Sequence, residues 1–353
     1  MSPVAANMEA LQFSLANKSL KYTKIPVPRI RDPKNVLVRV SYAGICGTDL
    51  HIIQGHFPCN PDQPLILGHE FSGTITEVGA EVTDFEIGDK VSVDPNIGCK
   101  KCTFCHEGNP HFCKNKGTNT TIGIFRDGGW AEYVTCPETQ VHKLPESITL
   151  EQAALCEPLS CLAHGWDLAG PIKVGKNILI TGAGIIGIFW ACALHLHGHR
   201  RVTVSEPKQS RLNSLKKLDL GFDLITPDEL KERQERDPEY LFDFVIECSG
   251  FPPAIEHGIS LLNQGGKLVI FGVAPPHANI SISPFDIYAK ELKIIGVNIN
   301  PYTYPNSIGM VEAMGDRYLN YDNLGIRVYS LREYKEAIEA LKKGTIAKAI
   351  FKL

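Results

Sequence analysis

The chain has 353 residues, a length that suits two ordinary domains better than one. With 43% hydrophobic and 21% charged residues, its composition is that of a globular protein with a core of normal size. A formal net charge of −3 and the lack of a long basic run argue against nucleic acid or an anionic membrane as the main partner.

Residues 1–7 carry neither a charged flank before an apolar run nor the arginines of a transit peptide, so the expected location is cytoplasmic. Disulfides are rare there, and the eleven cysteines read as metal ligands and small buried residues. Residues up to about 150 read as mostly β, with strands over 36–40, 73–78 and 90–93. Turn signals at Asp32-Pro33, Gly79, Gly88-Asp89 and Asp94-Pro95 separate them. Short strands with many turns predict a partly open barrel.

Two motifs punctuate this region. Gly44-Ile45-Cys46-Gly47-Thr48-Asp49 offers a soft sulfur, and Gly68-His69-Glu70 offers an imidazole and a carboxylate. Glu157 follows at Cys156-Glu157-Pro158. A mixed S/N/O set with one open position suits a catalytic zinc, which lowers the pKa of a substrate hydroxyl. Thr48 is placed to take the hydroxyl proton and His51 to relay it outward, with Asp49 fixing the tautomer of His69. Cys99, Cys102, Cys105 and Cys113, spaced C-x2-C-x2-C-x7-C, fill all four positions of a second, structural zinc.

The rhythm changes near Leu150. A helix is predicted over 150–169, then strands over 177–180, 202–206, 242–247 and 267–271 alternate with helices. That alternation predicts an α/β, doubly wound parallel sheet. The most apolar helical stretch, 185–196, is about a dozen residues and too short to span a bilayer. The charged run 228–240 reads as a solvated helix or loop, and 331–343 as an amphipathic helix.

Gly182-Ala183-Gly184-Ile185-Ile186-Gly187 follows the first of these strands and opens a helix, the context a dinucleotide loop requires. The helix N-terminus offers free N–H groups to the pyrophosphate. Glu206 lies nineteen residues after Gly187 and can accept from both ribose hydroxyls, which favours NAD over NADP, with Arg211 nearby. Ser249, Val273 and Asn298 complete the expected cofactor contacts. His195, His197 and His199 read as a helix end rather than a metal tract. Cys59, Cys136, Cys192 and Cys248 read as buried or incidental thiols.

With these motifs in hand, the chain closely resembles the zinc-dependent medium-chain dehydrogenases over nearly its whole length. Within them it is similar to the polyol branch of sorbitol, xylitol and arabinitol dehydrogenases. The resemblance implies Cys46, His69, Glu70 and Glu157 around a catalytic zinc, with Glu157 where alcohol dehydrogenases have cysteine. It implies a Rossmann sheet, residues 157–297, set into a β-rich GroES-like catalytic domain formed by 1–156 and 298–353. It also implies a homodimer or homotetramer joined through the strand over 292–297, an apolar edge that needs a partner. The activity implied is hydride transfer between the secondary hydroxyl of a polyol and NAD, giving the ketose, with two zinc ions per subunit. Sorbitol dehydrogenases carry an arginine-tyrosine pair where Val297-Asn298-Ile299-Asn300-Pro301 stands here. Other polyols, polyol phosphates, threonine-like or simple secondary alcohols, and an NADPH-linked carbonyl reductase are therefore the alternatives.

Overall fold

The computed structural model describes residues 6–60, 64–115 and 120–353. Residues 1–5, which carry most of the N-terminal stretch read above, lie outside these. The chain forms two compact units. Unit 1 comprises Met1–Ser160, Asn300–Gly315 and Ile326–Leu353; unit 2 comprises Cys161–Ile299 and Asp316–Gly325.

In unit 1 the chain runs through β1 (Asn7–Ser14), β2 (Ser19–Pro26), β3 (Asn35–Gly44), α1 (Gly47–Gln54), β4 (Leu65–Ile66), β5 (Phe71–Val78), β6 (Lys90–Val93), α2 (Thr103–His106), β7 (Tyr133–Pro137), β8 (Val141–Lys143) and α3 (Leu150–Ala153). It then enters α4 (Cys156–Ala169). Unit 2 continues with β9 (Ile178–Thr181), α5 (Ile185–Leu196), β10 (Val202–Ser205), α6 (Gln209–Lys217), β11 (Asp223–Ile225), α7 (Pro227–Arg236), β12 (Phe242–Glu247), α8 (Pro252–Ser260), β13 (Leu262–Ile270), α9 (Pro284–Lys290) and β14 (Lys293–Gly296). The end of the chain holds α10 (Tyr304–Leu319), α11 (Tyr321–Leu324), β15 (Ile326–Tyr329), α12 (Tyr334–Lys343) and β16 (Lys348–Lys352).

Unit 1 is built on a seven-stranded sheet, β15-β16-β3-β5-β6-β8, with β7 also pairing β3, and a small sheet β2-β1-β4. Alternation along β3 sends Val36, Val38 and Val40 into one core with Phe71, Trp130 and Phe351. Trp130 and Phe351 meet edge to face at 5.5 Å.

Unit 2 is a six-stranded sheet in the order β11-β10-β9-β12-β13-β14, parallel throughout. A sheet covered on both faces needs strands that are apolar on both sides. All four residues of β9 are buried, and α5 is buried from Gly187 to Leu194, which accounts for its uninterrupted apolar sequence.

The unit boundaries differ from those expected at 156/157 and 297/298, falling at Ser160/Cys161 and Ile299/Asn300. Asp316–Gly325, expected in the catalytic part, packs with unit 2. The physical reason is a break inside α10, where Gly315 has φ 46° and ψ −157°. Past it, the Tyr318 hydroxyl lies 2.7 Å from His195 Nδ1, and Arg317 donates to the Asp219 carbonyl at 3.2 Å. The expected helix over 150–169 is two helices, α3 and α4, and α3 has its own capping box at Thr149 and Gln152.

Candidate metal centres and cofactor loop

Cys46 caps the N-terminus of α1, while His69 and Glu70 occupy the turn between β4 and β5. One ligand atom from each of Cys46, His69 and Glu70 lies within 4.8 Å of the others. Asp49 fastens this group. One carboxylate oxygen accepts from the Cys46 N–H at 2.8 Å, and the other stands 3.4 Å from His69 Nδ1. Burial opposes a charge on His69, but the Asp49 carboxylate and Cys46 sulfur raise its pKa well above the usual histidine value. The same negative surroundings attract a metal cation. His69 and Glu70 are buried. A Cβ on Gly44 would come within 2.0 Å of Glu70 Oε2, so a side chain there would displace the Glu70 carboxylate. The donor set of sulfur, imidazole and carboxylate fits zinc.

The structure does not bring the Glu157 carboxylate into that 4.8 Å group. Glu157 lies in the first turn of α4, buried, and interacts electrostatically with His69 and Glu70. Burial pushes its carboxyl up to about 7, with His69 pulling down and Glu70 pushing up. A hydrogen-bonded network holds its turn. The Ser160 hydroxyl donates to the Glu157 carbonyl at 2.6 Å, and Asn300 Nδ2 donates to Ser160 Oγ at 2.8 Å. Asn300 also accepts from Asn96 at 2.7 Å and donates to Asp94 at 3.2 Å.

Sequence reasoning missed Lys348 on β16. Its ammonium lies 2.5 Å from Glu70 Oε2, and both side chains are 2% exposed. A lone lysine inside Ile346-Ala347-Lys348-Ala349-Ile350-Phe351 was the available signal, since a buried cation requires a partner.

The four-cysteine loop closes on itself. The sulfur separations are 3.6 Å for Cys102–Cys105, 3.8 Å for Cys102–Cys113 and 4.0 Å for Cys99–Cys105. Four sulfurs at about 2.3 Å from one tetrahedral ion stand about 3.8 Å apart, so the loop fits zinc with no position left for substrate.

Thr48 and His51 lie three residues apart on α1, both partly buried. His195 pairs with Tyr318 and His197 Nδ1 lies 2.8 Å from the Ala193 carbonyl; neither joins a ligand group among the described residues. Cys59, Cys136 and Cys192 are buried, and Cys248 partly so. Burial pushes the Cys136 and Cys192 thiols up to about 12.

In unit 2 the glycine loop joins β9 to α5. Gly184 caps the helix, and Ile185 and Ile186 form its first turn. A Cβ on Gly187 would lie 1.9 Å from the Gly182 carbonyl oxygen, so only glycine lets the turn close. Glu206, directly after β10, accepts from the Ala183 N–H at 2.7 Å and the Lys208 N–H at 2.9 Å, with Arg211 Nη1 at 3.4 Å. The carboxylate thus braces the glycine loop, a role its position in the sequence did not reveal. Ser249, Val273 and Asn298 follow the carboxyl ends of β12, β13 and β14 and are exposed.

Comparison with known proteins returns two family matches. Residues 32–146 match the alcohol dehydrogenase GroES-like domain, and residues 185–313 match the zinc-binding dehydrogenase family. Among curated relatives, D-arabinitol dehydrogenase 1 of Uromyces fabae is 33% identical over 95% of this chain and 94% of its own. An L-threonine 3-dehydrogenase of Rhizobium etli is 32% identical over 97% and 98%. Among solved structures, a zinc-binding dehydrogenase of Sinorhizobium meliloti bound to NADP superposes with a TM-score of 0.88 at 32% identity, covering 99% of this chain and 100% of that one.

Proposed function

Because this chain belongs to the zinc-dependent medium-chain dehydrogenases, in their polyol branch, we propose that it oxidises the secondary hydroxyl of a sugar alcohol to the ketose, with NAD as acceptor. The observation that carries this reading is the convergence of Cys46, His69 and Glu70 in a chain that also holds a glycine loop braced by Glu206. Zinc bound there would supply Lewis acidity toward the substrate hydroxyl, and bound NAD would supply the hydride acceptor.

The chain's own groups do the rest. Cys46, His69 and Glu70 hold the metal, and Glu157 completes its surroundings directly or through water. Asp49 fixes the imidazole tautomer of His69. Thr48 takes the hydroxyl proton and His51 passes it outward. Cys99, Cys102, Cys105 and Cys113 hold a second, structural zinc. Glu206 would accept from the adenosine ribose hydroxyls, and its negative charge would disfavour a 2′-phosphate. Gly182, Gly184, Ile185, Ile186 and Gly187 cradle the pyrophosphate, and Ser249, Val273 and Asn298 line the remainder of the cofactor.

Two further features fit this reading. The eleven cysteines are all free, as in a reducing compartment such as the cytoplasm. β14 is the edge of its sheet with Ile294 39% exposed, and α9 presents Phe285 and Tyr288 at 71% and 81%, a surface that suits a homodimer or homotetramer. A second reading, NADP use, is favoured by Arg211 beside Glu206.

Initial rates on pentitols, hexitols, polyol phosphates, threonine and simple secondary alcohols, each with NAD and NADP, test the substrate and cofactor together. The proposal expects one polyol group to dominate with NAD, and Glu206→Ser to lower the NAD/NADP ratio of kcat/KM. A threonine or NADP preference would replace it, and an unmoved ratio would refute the role of Glu206.

A further inference from the structure

Glu247 takes no part in the chemistry above. It ends β12 and is 0% exposed. Oε1 accepts from the Ser249 N–H at 2.7 Å, from the Ser249 hydroxyl and from the Gly250 N–H at 3.1 Å, with Thr181 Oγ1 at 3.5 Å. Oε2 accepts from the Gly250 N–H, also at 3.1 Å. These partners are all donors, the surroundings of an acceptor-only carboxylate. Among the described residues no lysine, arginine or histidine forms an ion pair with it. A buried carboxylate without a cation is costly and invites a reason.

The topology supplies one. β9 carries the glycine loop and lies between β10 and β12 in the sheet. In a doubly wound sheet the dinucleotide crosses the carboxyl ends of the strands where their order reverses. Glu206, after β10, takes the adenosine side. The nicotinamide half therefore falls on the side of β12 and β13, where Glu247 and the turn it braces stand. Gly272, after β13, closes on the same carboxylate, since a Cβ there would lie 2.8 Å from Oε2.

We propose that Glu247 is a positioning residue of the nicotinamide half-site: it fixes the Ser249–Gly250 turn, and its buried negative charge favours the oxidised, positively charged cofactor over the reduced, neutral one. The inference rests on the dinucleotide reading of unit 2. A charge in a dry protein interior acts over several ångströms, and a ligand couples to it only through a difference in its own charge.

Equilibrium titration of the zinc-loaded protein with NAD and with NADH tests this, for wild type, Glu247→Gln and Glu247→Asp. Glu247→Gln keeps the shape but removes the charge and turns an amide N–H₂ toward donors. Both dissociation constants should rise, and that for NAD by about fivefold more than that for NADH. Glu247→Asp keeps the charge on a shorter stem, so both should rise with their ratio unchanged. Equal weakening of the two cofactors in Glu247→Gln, or no weakening, overturns the proposal. Should Glu247→Gln fail to fold, Glu247→Asp decides alone: a changed ratio or unchanged affinities overturn it. Wild-type protein that binds neither cofactor would instead refute the dinucleotide reading, which the wild-type titration reveals separately.

Discussion

Cys46 and Cys102 are both thiols beside other candidate zinc ligands, yet they answer to different demands. Cys46 belongs to a mixed set held by Asp49, whereas Cys102 belongs to a closed set of sulfurs. Cys46→Ala should lose about one zinc per subunit and turnover while keeping the fold. Cys102→Ala should chiefly impair folding or assembly. Metal analysis with circular dichroism separates the two, and normal turnover in Cys46→Ala would refute the catalytic assignment. Asp94 makes a pH prediction. Burial pushes its carboxyl up to about 7, against hydrogen bonds from the Asn96 N–H and Asn300. The folded state therefore keeps the proton to a higher pH than the unfolded chain. The stability this gives is present below about pH 4 and lost as pH rises through 7. Relative to Asp94→Asn, wild type should lose on the order of 2 kcal/mol between pH 5 and pH 8, read from urea midpoints. A pH-independent difference would show that Asp94 is ionised throughout.

β16 shows what one strand contributes to a site far away in sequence. Its register against β3 sets Ile350 opposite Gly44, and Lys348 then reaches both Glu70 and the Ile45 carbonyl. Burial is the largest single influence on Lys348 and lowers its pKa, but Glu70, Cys46 and Glu157 together raise the net value. Lys348→Met would leave Glu70 as an uncompensated buried charge. It should destabilise the metal-free protein by about 3 kcal/mol in urea, and a loss well under 1 kcal/mol would mean that Glu70 finds another partner. This contact depends on pairing between the two ends of the chain, so no local pattern announces it. The glycine loop was legible because spacing places it after β9 and before α5, β6 from its alternating valines between turn signals, and β12 from its apolar residues. The β1–β2 hairpin was not, because no residue of β2 is fully buried and the strand lacks a clear alternation. Glu247 was invisible for a similar reason: its donors come from a turn whose geometry only the fold fixes.

At the scale of the whole molecule, the chain order was readable from the change of rhythm near Leu150, from β-rich to alternating strand and helix. The return of the chain was less so. The expected tail from 298 is divided, because Gly315 breaks α10 and sends Asp316–Gly325 to pack with unit 2. No helix among the described residues is long and apolar enough to cross a membrane. The proposed substrate class rests on the candidate metal centre and the family together, and the stretch from Val297 to Pro301 lacks the arginine-tyrosine pair of sorbitol dehydrogenases. The most direct test is NADH formation from the best polyol, followed through removal of metal by a chelator and re-addition of zinc, with circular dichroism recorded at each step. The account predicts that turnover falls to background while the fold persists, and returns with zinc. Undiminished turnover in protein shown to hold no metal would contradict it.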